Sequence, residues 1–253
     1  MTYCVGLYLE QGLVLLSDTR TNAGFDNIAT FSKMHALEIP GDRMIALMTA
    51  GNLAVTQAVI SRVVEGAGAP EGVEFQTLAD VPSMFEAARL VGTAVREIYQ
   101  RDGMALASQS LAFEASMSVA GQIAGRRMRM FQVYSAGNFI EATGDTCFLQ
   151  IGEHKYGKPI LDRVARWETP LEDAVKLALI SMDSTIRSNL SVGLPADLLI
   201  YRRDAARIEL QRRIRDDDPY FREISGRWSA ALRQAYRDLP APDWLHADNA
   251  EMP

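Results

Sequence analysis

Residues 2–24 read TYCVGLYLEQGLVLLSDTRTNAG, and the reading of the whole chain starts from them. Tyr3–Leu9 and Leu13–Ser17 are two apolar runs of strand length, joined by Glu10-Gln11-Gly12. A glycine in so short a connection between such runs predicts a β-hairpin. Chain starts are usually polar and frayed. Here the apolar run begins at Tyr3, so the sequence predicts that Thr2 is held against a core.

Further along, Thr30–Lys33 and His35–Ile39 form a second strand-like pair, with Lys33 ending the third strand. Pro40-Gly41-Asp42 signals a turn, and Arg43–Thr49 is another strand. Leu53–Glu65 and Leu78–Arg101 carry apolar residues at helical spacing, and the Gly- and Pro-rich stretch 66–74 reads as a loop. The pattern then returns to strands at Ala112–Ile123, Met128–Tyr134, Phe139–Ala142 and Cys147–Ile151. Helices are expected at His154–Ala165 and from Thr169-Pro170 to Arg187, with Thr169 as cap and Pro170 in the first helical position. Pro195–Tyr201 and Arg207–Arg213 complete the strands. Two groups of strands, each followed by a helix pair, predict two packed sheets with helices outside. After a break at Asp216-Asp217-Asp218-Pro219, Ile224–Leu239 reads as an amphipathic helix with Trp228, Leu232 and Tyr236 on one side, a candidate docking face. The residues 240–253 read as a loose tail.

Composition narrows the classes. The 253 residues, 48% of them apolar, suffice for one sizeable core. A net charge of -6 argues against a nucleic-acid partner. The uninterrupted apolar stretches are too short to span a bilayer, so no membrane partner is expected. Two cysteines, Cys4 and Cys147, are too few for a disulfide framework and predict a reduced, cytoplasmic protein. Only four of the 26 basic residues are lysines, and Lys33 is one of them. His35, His154 and His246 lack metal-type spacing, and GAGAPEG (66–72) lacks the strand and helix that flank a phosphate loop. No metal or organic cofactor is expected.

Five features then follow in one order: Thr2; Asp18 and Arg20 in SDTRTNAG (17–24); Lys33; Gly51 in MTAGN (48–52), where a strand passes into a helix; and Asp183 in SMDSTIRSN (181–189). Taken singly, each has an ordinary structural reading as a turn, strand-end or helix-surface residue. In this order they resemble the proteasome-type N-terminal-nucleophile hydrolases, and within them the bacterial ancestral-beta-subunit (Anbu) group. The stretches FSKMH (31–35), FLQIGEHKYGKPILDR (148–163) and MDSTIRSNLSVGLPADL (182–198) are similar to that group as well.

The resemblance implies an α+β fold, a four-layer αββα sandwich, over residues 2–214, with a helical extension at 215–253. It implies a threonine-type peptidase or amidase. Thr2, freed by removal of the initiator Met, would be the nucleophile and its α-amine the base. A hydroxyl needs such a base, and an α-amine titrates at roughly 7.7–8.0. Lys33 would lower that value as a neighbouring cation, Asp18 would hold Lys33, and Arg20 would support Asp18. The Gly51 N–H would stabilise the oxyanion, and Asp183 would orient the amine or a water. Ser184 and Ser188 are both available for the serine that follows the late aspartate. The stretch IGEHKYG (151–157) departs from the Gly-Ser-Gly turn of ordinary β subunits and places Glu153 in the serine's slot. A carboxylate beside the amine would oppose Lys33. Two rival readings follow, a non-catalytic structural subunit and an amidase for one small conjugate. The implied partners are peptide or amide substrate and further copies of the chain, in a ring or open helical homo-oligomer.

Overall fold

The computed structural model describes residues 1–23, 27–69 and 74–245. Its contacts divide the chain into two units, 1–216 and 217–253. In chain order the first unit contains β1 (Tyr3–Tyr8), β2 (Gly12–Asp18), β3 (Arg20–Ala23), β4 (Asn27–Thr30), β5 (Met34–Ile39), β6 (Arg43–Gly51), α1 (Leu53–Val64) and α2 (Met84–Ser108). There follow β7 (Ala115–Ile123), β8 (Arg129–Val133), β9 (Phe139–Glu141), β10 (Phe148–Gly152), α3 (Lys158–Val164), α4 (Leu171–Ser188), β11 (Ala196–Arg202) and β12 (Leu210–Ile214). This is an α+β fold.

Two five-stranded antiparallel sheets carry it, ordered β10-β1-β2-β11-β12 and β5-β6-β7-β8-β9. Side chains alternate across a strand, so a strand buried on both faces reads as a continuous apolar run. Strand β6 shows the sorting. Met44, Ala46 and Met48 join Leu13, Leu15, Leu199 and Tyr201 in one core cluster between the sheets. Ile45 and Leu47 face the other way, into a second cluster with Val55 and Val59 of α1 and Leu90, Val91 and Val95 of α2. Helix α4 packs on β1 and β2, and α3 packs on α4. The inter-sheet cluster is rich in methionine (Met34, Met44, Met48, Met128, Met130), whose unbranched side chain fills irregular gaps.

Several expectations are corrected. Residues 31–33 are not a strand; a separate two-stranded hairpin, β3–β4, pairs Arg20 with Thr30, and Lys33 lies in the link before β5. Helix α2 begins at Met84 rather than Leu78, because Ser83 accepts from the Glu86 N–H at 3.2 Å and caps it. It also runs on through Asp102-Gly103 to Ser108. The helix expected from His154 is confined to Lys158–Val164. Pro170, not Thr169, occupies the cap position of α4, and Thr169 Oγ1 instead accepts from the Arg166 N–H at 2.9 Å. The 66–74 loop lies partly, and the 240–253 tail and His246 lie wholly or largely, outside the described residues.

In the second unit, α5 (Pro219–Asp238) starts at the acidic break. Pro219 opens the helix and the Asp218 carboxylate accepts from the Phe221 N–H at 2.9 Å. No described helix is long and apolar enough to cross a membrane.

Candidate active site

Thr2 directly precedes β1 and is 7% exposed. Its carbonyl accepts from the Glu153 N–H at 2.6 Å, across from the end of β10. Gly152, at φ +81°, permits this approach, since a Cβ there would sit 2.1 Å from the Thr2 oxygen. Beside Thr2 opens a cleft of about 880 Å³, lined in part by Thr2, Lys33, Gly51, Thr21, Phe31 and Glu114. Met1, 65% exposed, also borders it, so in this form of the chain the Thr2 nitrogen is a peptide amide.

Asp18 closes β2 and is fully buried. Its Oδ1 accepts both the Tyr3 N–H, at 3.0 Å, and Lys33 Nζ, at 2.7 Å. One carboxylate oxygen therefore holds the Lys33 ammonium against the backbone that follows Thr2. Lys33 is 4% exposed, and its Nζ also donates to the Arg20 carbonyl at 2.6 Å. Among the described residues these two acceptors use two of the three ammonium protons, and Lys33 lines the cleft with Thr2. The Lys33 backbone is fixed by β6, where the Thr49 N–H donates to its carbonyl at 2.9 Å. Burial pushes the Asp18 carboxyl above the usual carboxylate range, while Lys33 and the Tyr3 N–H pull it down.

Gly51 ends β6 at φ +115°. A Cβ there would lie 2.3 Å from the Glu114 carbonyl oxygen, so glycine is required at this close approach. The chain enters α1 at once, with Asn52 Oδ1 accepting from the N–H groups of Ala54 and Val55 at 3.0 and 3.3 Å. Gly51, Asn52 and Leu53 line the cleft, so it opens at a helix N-terminus, where partial positive charge favours a developing oxyanion.

The other residues singled out by the sequence are placed differently. Arg20 contributes its carbonyl to Lys33, whereas its Nη1 donates to the Leu190 carbonyl at 3.1 Å. Asp183 is buried on α4 and accepts from Arg187 Nε at 3.0 Å; it is not among the residues lining the cleft. Ser184 is half-buried and Ser188 exposed, one turn apart on α4, and neither lines the cleft. The Glu153 carboxylate is engaged by the Lys155 N–H at 3.0 Å and by Asn189 Nδ2 at 3.2 Å, while its backbone N–H serves Thr2. Cys4 is buried, donates to the Thr49 carbonyl, and has its thiol pushed up by burial. Among the described residues no group of three or more His, Cys, Asp or Glu is arranged to hold a metal ion. Sequence reasoning missed Thr21, Phe31, Leu111 and Glu114 as cleft residues. Phe31, in the stretch FSKMH (31–35), and Thr21, in SDTRTNAG (17–24), lie beside residues singled out by the sequence and could have been found; Leu111 and Glu114 carry no local signal.

No protein-family model and no curated relative match the chain. Solved structures do. Anbu (ancestral beta-subunit) from Yersinia bercovieri is 47% identical, with 95% of this chain and 98% of that one covered and a TM-score of 0.87. Anbu from Hyphomicrobium sp. strain MC1 is 51% identical over 95% and 99%, with a TM-score of 0.86. The helical assembly of the Anbu complex from Pseudomonas aeruginosa matches at 48% identity over 95% and 98%, also with a TM-score of 0.86.

Proposed function

The chain belongs to the Anbu (ancestral beta-subunit) family of proteasome homologues, and from that premise we propose that it is an N-terminal-threonine hydrolase of peptide or amide bonds. The observation that carries this reading is the shared Asp18 oxygen, which binds Lys33 Nζ and the Tyr3 N–H behind a cleft lined by Thr2, Lys33 and Gly51. Removal of Met1 frees the Thr2 amine. The amine takes the proton of the Thr2 hydroxyl as Oγ1 attacks the scissile carbonyl carbon, and the Lys33 charge keeps that amine unprotonated near neutral pH. The oxyanion meets the Gly51 N–H and the start of α1. The amine's proton passes to the leaving nitrogen as the C–N bond breaks, leaving an ester on Thr2. Water then attacks the ester, with the same amine as base, and releases the acid. Asp183 would orient the amine or that water from α4. Engagement of the Glu153 carboxylate by Lys155 and Asn189 supports a role apart from the amine.

The hydrolase domain is taken as residues 2–214, read as a four-layer αββα sandwich, with 215–253 as an extension. Packing of α1 and α2 on one sheet and of α4 on the other supports that layering. The helical assembly formed by the Pseudomonas aeruginosa relative supports self-association, which we read as a ring or open helix of a cytoplasmic protein. Two measurements test the reading. Intact-mass analysis should give a chain lacking Met1, and a panel of fluorogenic peptides and isopeptides should be cleaved by the parent chain and not by Thr2→Ala. Retention of Met1, or equal turnover by Thr2→Ala, would favour the non-catalytic subunit instead.

A further inference from the structure

At the opposite end of the sheets from Thr2 lies a second cavity, of about 590 Å³. Strand β1 leads from one to the other: six residues at about 3.3 Å each, or about 20 Å. The cavity is lined by Arg126, Arg127 and Arg203, with Tyr8, Trp167 and Asp204 among its other walls. In a chain of net charge -6 this is a local excess of cations. Several arginines elsewhere are matched with carboxylates, as Arg62 is with Glu97, Arg129 with Glu141, Arg202 with Glu209 and Arg213 with Asp197. Among the described residues Arg126, Arg127 and Arg203 have no such match.

The frame that presents them is rigid. Gln122 is buried, and its Nε2 donates to the Arg126 carbonyl, at 2.8 Å, and to Asp204 Oδ1, at 2.5 Å. Its Oε1 accepts the Asp204 N–H at 2.9 Å and the Tyr201 hydroxyl at 3.0 Å. One side chain thus ties the β7–β8 turn to the β11–β12 turn and engages one oxygen of the single acidic wall, Asp204. Arg203 is fixed over the Trp167 ring, 5.1 Å from its centroid, with one Nη2 hydrogen bond to the Leu9 carbonyl at 3.0 Å. Its Nε is buried and has no partner among the described residues. A buried donor without an acceptor is costly. Arg126 and Arg127 stand exposed on the facing turn, with both forks free of carboxylates.

We infer that this cavity binds a compact polyanion, through phosphate or carboxylate oxygens gripped by Arg126, Arg127 and Arg203. Planar guanidinium forks match both groups in bidentate fashion, which a lysine point charge does not. The site is separate from the Thr2 cleft and stands whether or not that cleft is catalytic.

The experiment is calorimetric titration of the intact protein, in phosphate-free buffer at fixed ionic strength, with inorganic pyrophosphate and, separately, with citrate. Saturable binding of one or both is expected, weakening as salt rises. Arg126→Ala combined with Arg127→Ala should weaken it at least about tenfold. Arg203→Lys keeps the charge, loses the fork, and should also weaken it. Arg233→Ala, the loss of one charge on exposed α5, should change nothing. Binding of pyrophosphate alone identifies phosphate chemistry, and of citrate alone carboxylate chemistry; either supports the site. Absence of saturable binding by both probes, or equal weakening by Arg233→Ala, overturns it. Circular dichroism of each variant confirms that a loss of binding is not a loss of fold.

Discussion

Replacing Lys33 with methionine removes one positive charge and keeps most of the side chain's length. Lys33 Nζ and the Tyr3 N–H share one Asp18 oxygen, so the ammonium lies a few ångströms from residue 2. At about 4 Å and an effective dielectric of about 20, a unit charge acts on another with about 4 kcal/mol. At 1.36 kcal/mol per pKa unit this is roughly three units, or about two once water in the open cleft is allowed for. The sign follows from charge: a neighbouring cation disfavours the ammonium form of the Thr2 amine, so removing it raises that amine's pKa. Acylation of Thr2 should therefore slow about 100-fold below about pH 5 but only about three- to fourfold at pH 7.5, where an amine of ordinary pKa is already partly unprotonated, and the midpoint of its pH–rate profile should rise by about two units. The same change leaves Asp18 buried beside no cation, which costs about 3–5 kcal/mol of stability. Adding Asp18→Asn should restore much of the stability and none of the activity. The assay is stopped-flow or quenched acylation across pH, paired with denaturant unfolding at one protein concentration, since self-association shifts apparent stability. A folded Lys33→Met variant with an unmoved pH profile would refute the reasoning.

Three further outcomes are expected. Gly51→Ala places a Cβ 2.3 Å from the Glu114 carbonyl at φ +115°, and should cost about 1–3 kcal/mol in unfolding experiments and slow acylation. Glu153→Gln should leave the pH–rate midpoint within about half a unit of the parent value, because the carboxylate is engaged by Lys155 and Asn189; a downward shift of a full unit would place that charge on the amine. Cys4 has a folded-state pKa raised by burial, so its contribution is intact below the unfolded value and lost as pH rises above it. Cys4 should contribute a fall of up to about 1.4 kcal/mol per pH unit above about pH 8.5, to which Cys147, also raised by burial, adds; Cys4→Ala should remove its share and leave that of Cys147 and, at higher pH, of Tyr3.

The sequence was most legible where burial wrote a long apolar run. Strands β1, β2 and β6 are buried along nearly their whole length, and their positions follow from composition alone. The β3–β4 hairpin escaped because RTNA and NIAT are short and mostly polar, and nothing in them alternates cleanly. Helix α2 was misplaced because Leu78 and Val81 continue its apolar spacing while belonging to the preceding loop; the Ser83–Glu86 capping pair was the better signal. At the site, the order of Thr2, Asp18, Lys33 and Gly51 was readable from residue type, and the structure sets Thr2, Lys33 and Gly51 on one cleft with Asp18 buried behind Lys33. Arg20 was read for its guanidinium, but it is the carbonyl that meets Lys33, and a backbone acceptor leaves no trace in residue type. Asp183, by contrast, spends one oxygen on Arg187, an i, i+4 pairing that helical spacing alone could have suggested.

The central claim is that Thr2 acts through its hydroxyl and its own amine together. A peptide epoxyketone reports on both, since it closes a ring with the oxygen and the nitrogen of one N-terminal threonine. Incubated with the mature protein and followed by intact mass and peptide mapping, it should add one inhibitor per chain at Thr2, and neither Thr2→Ala nor Lys33→Met should be labelled at a comparable rate. A chain that has lost Met1, is folded, and remains unlabelled at Thr2 would contradict the account.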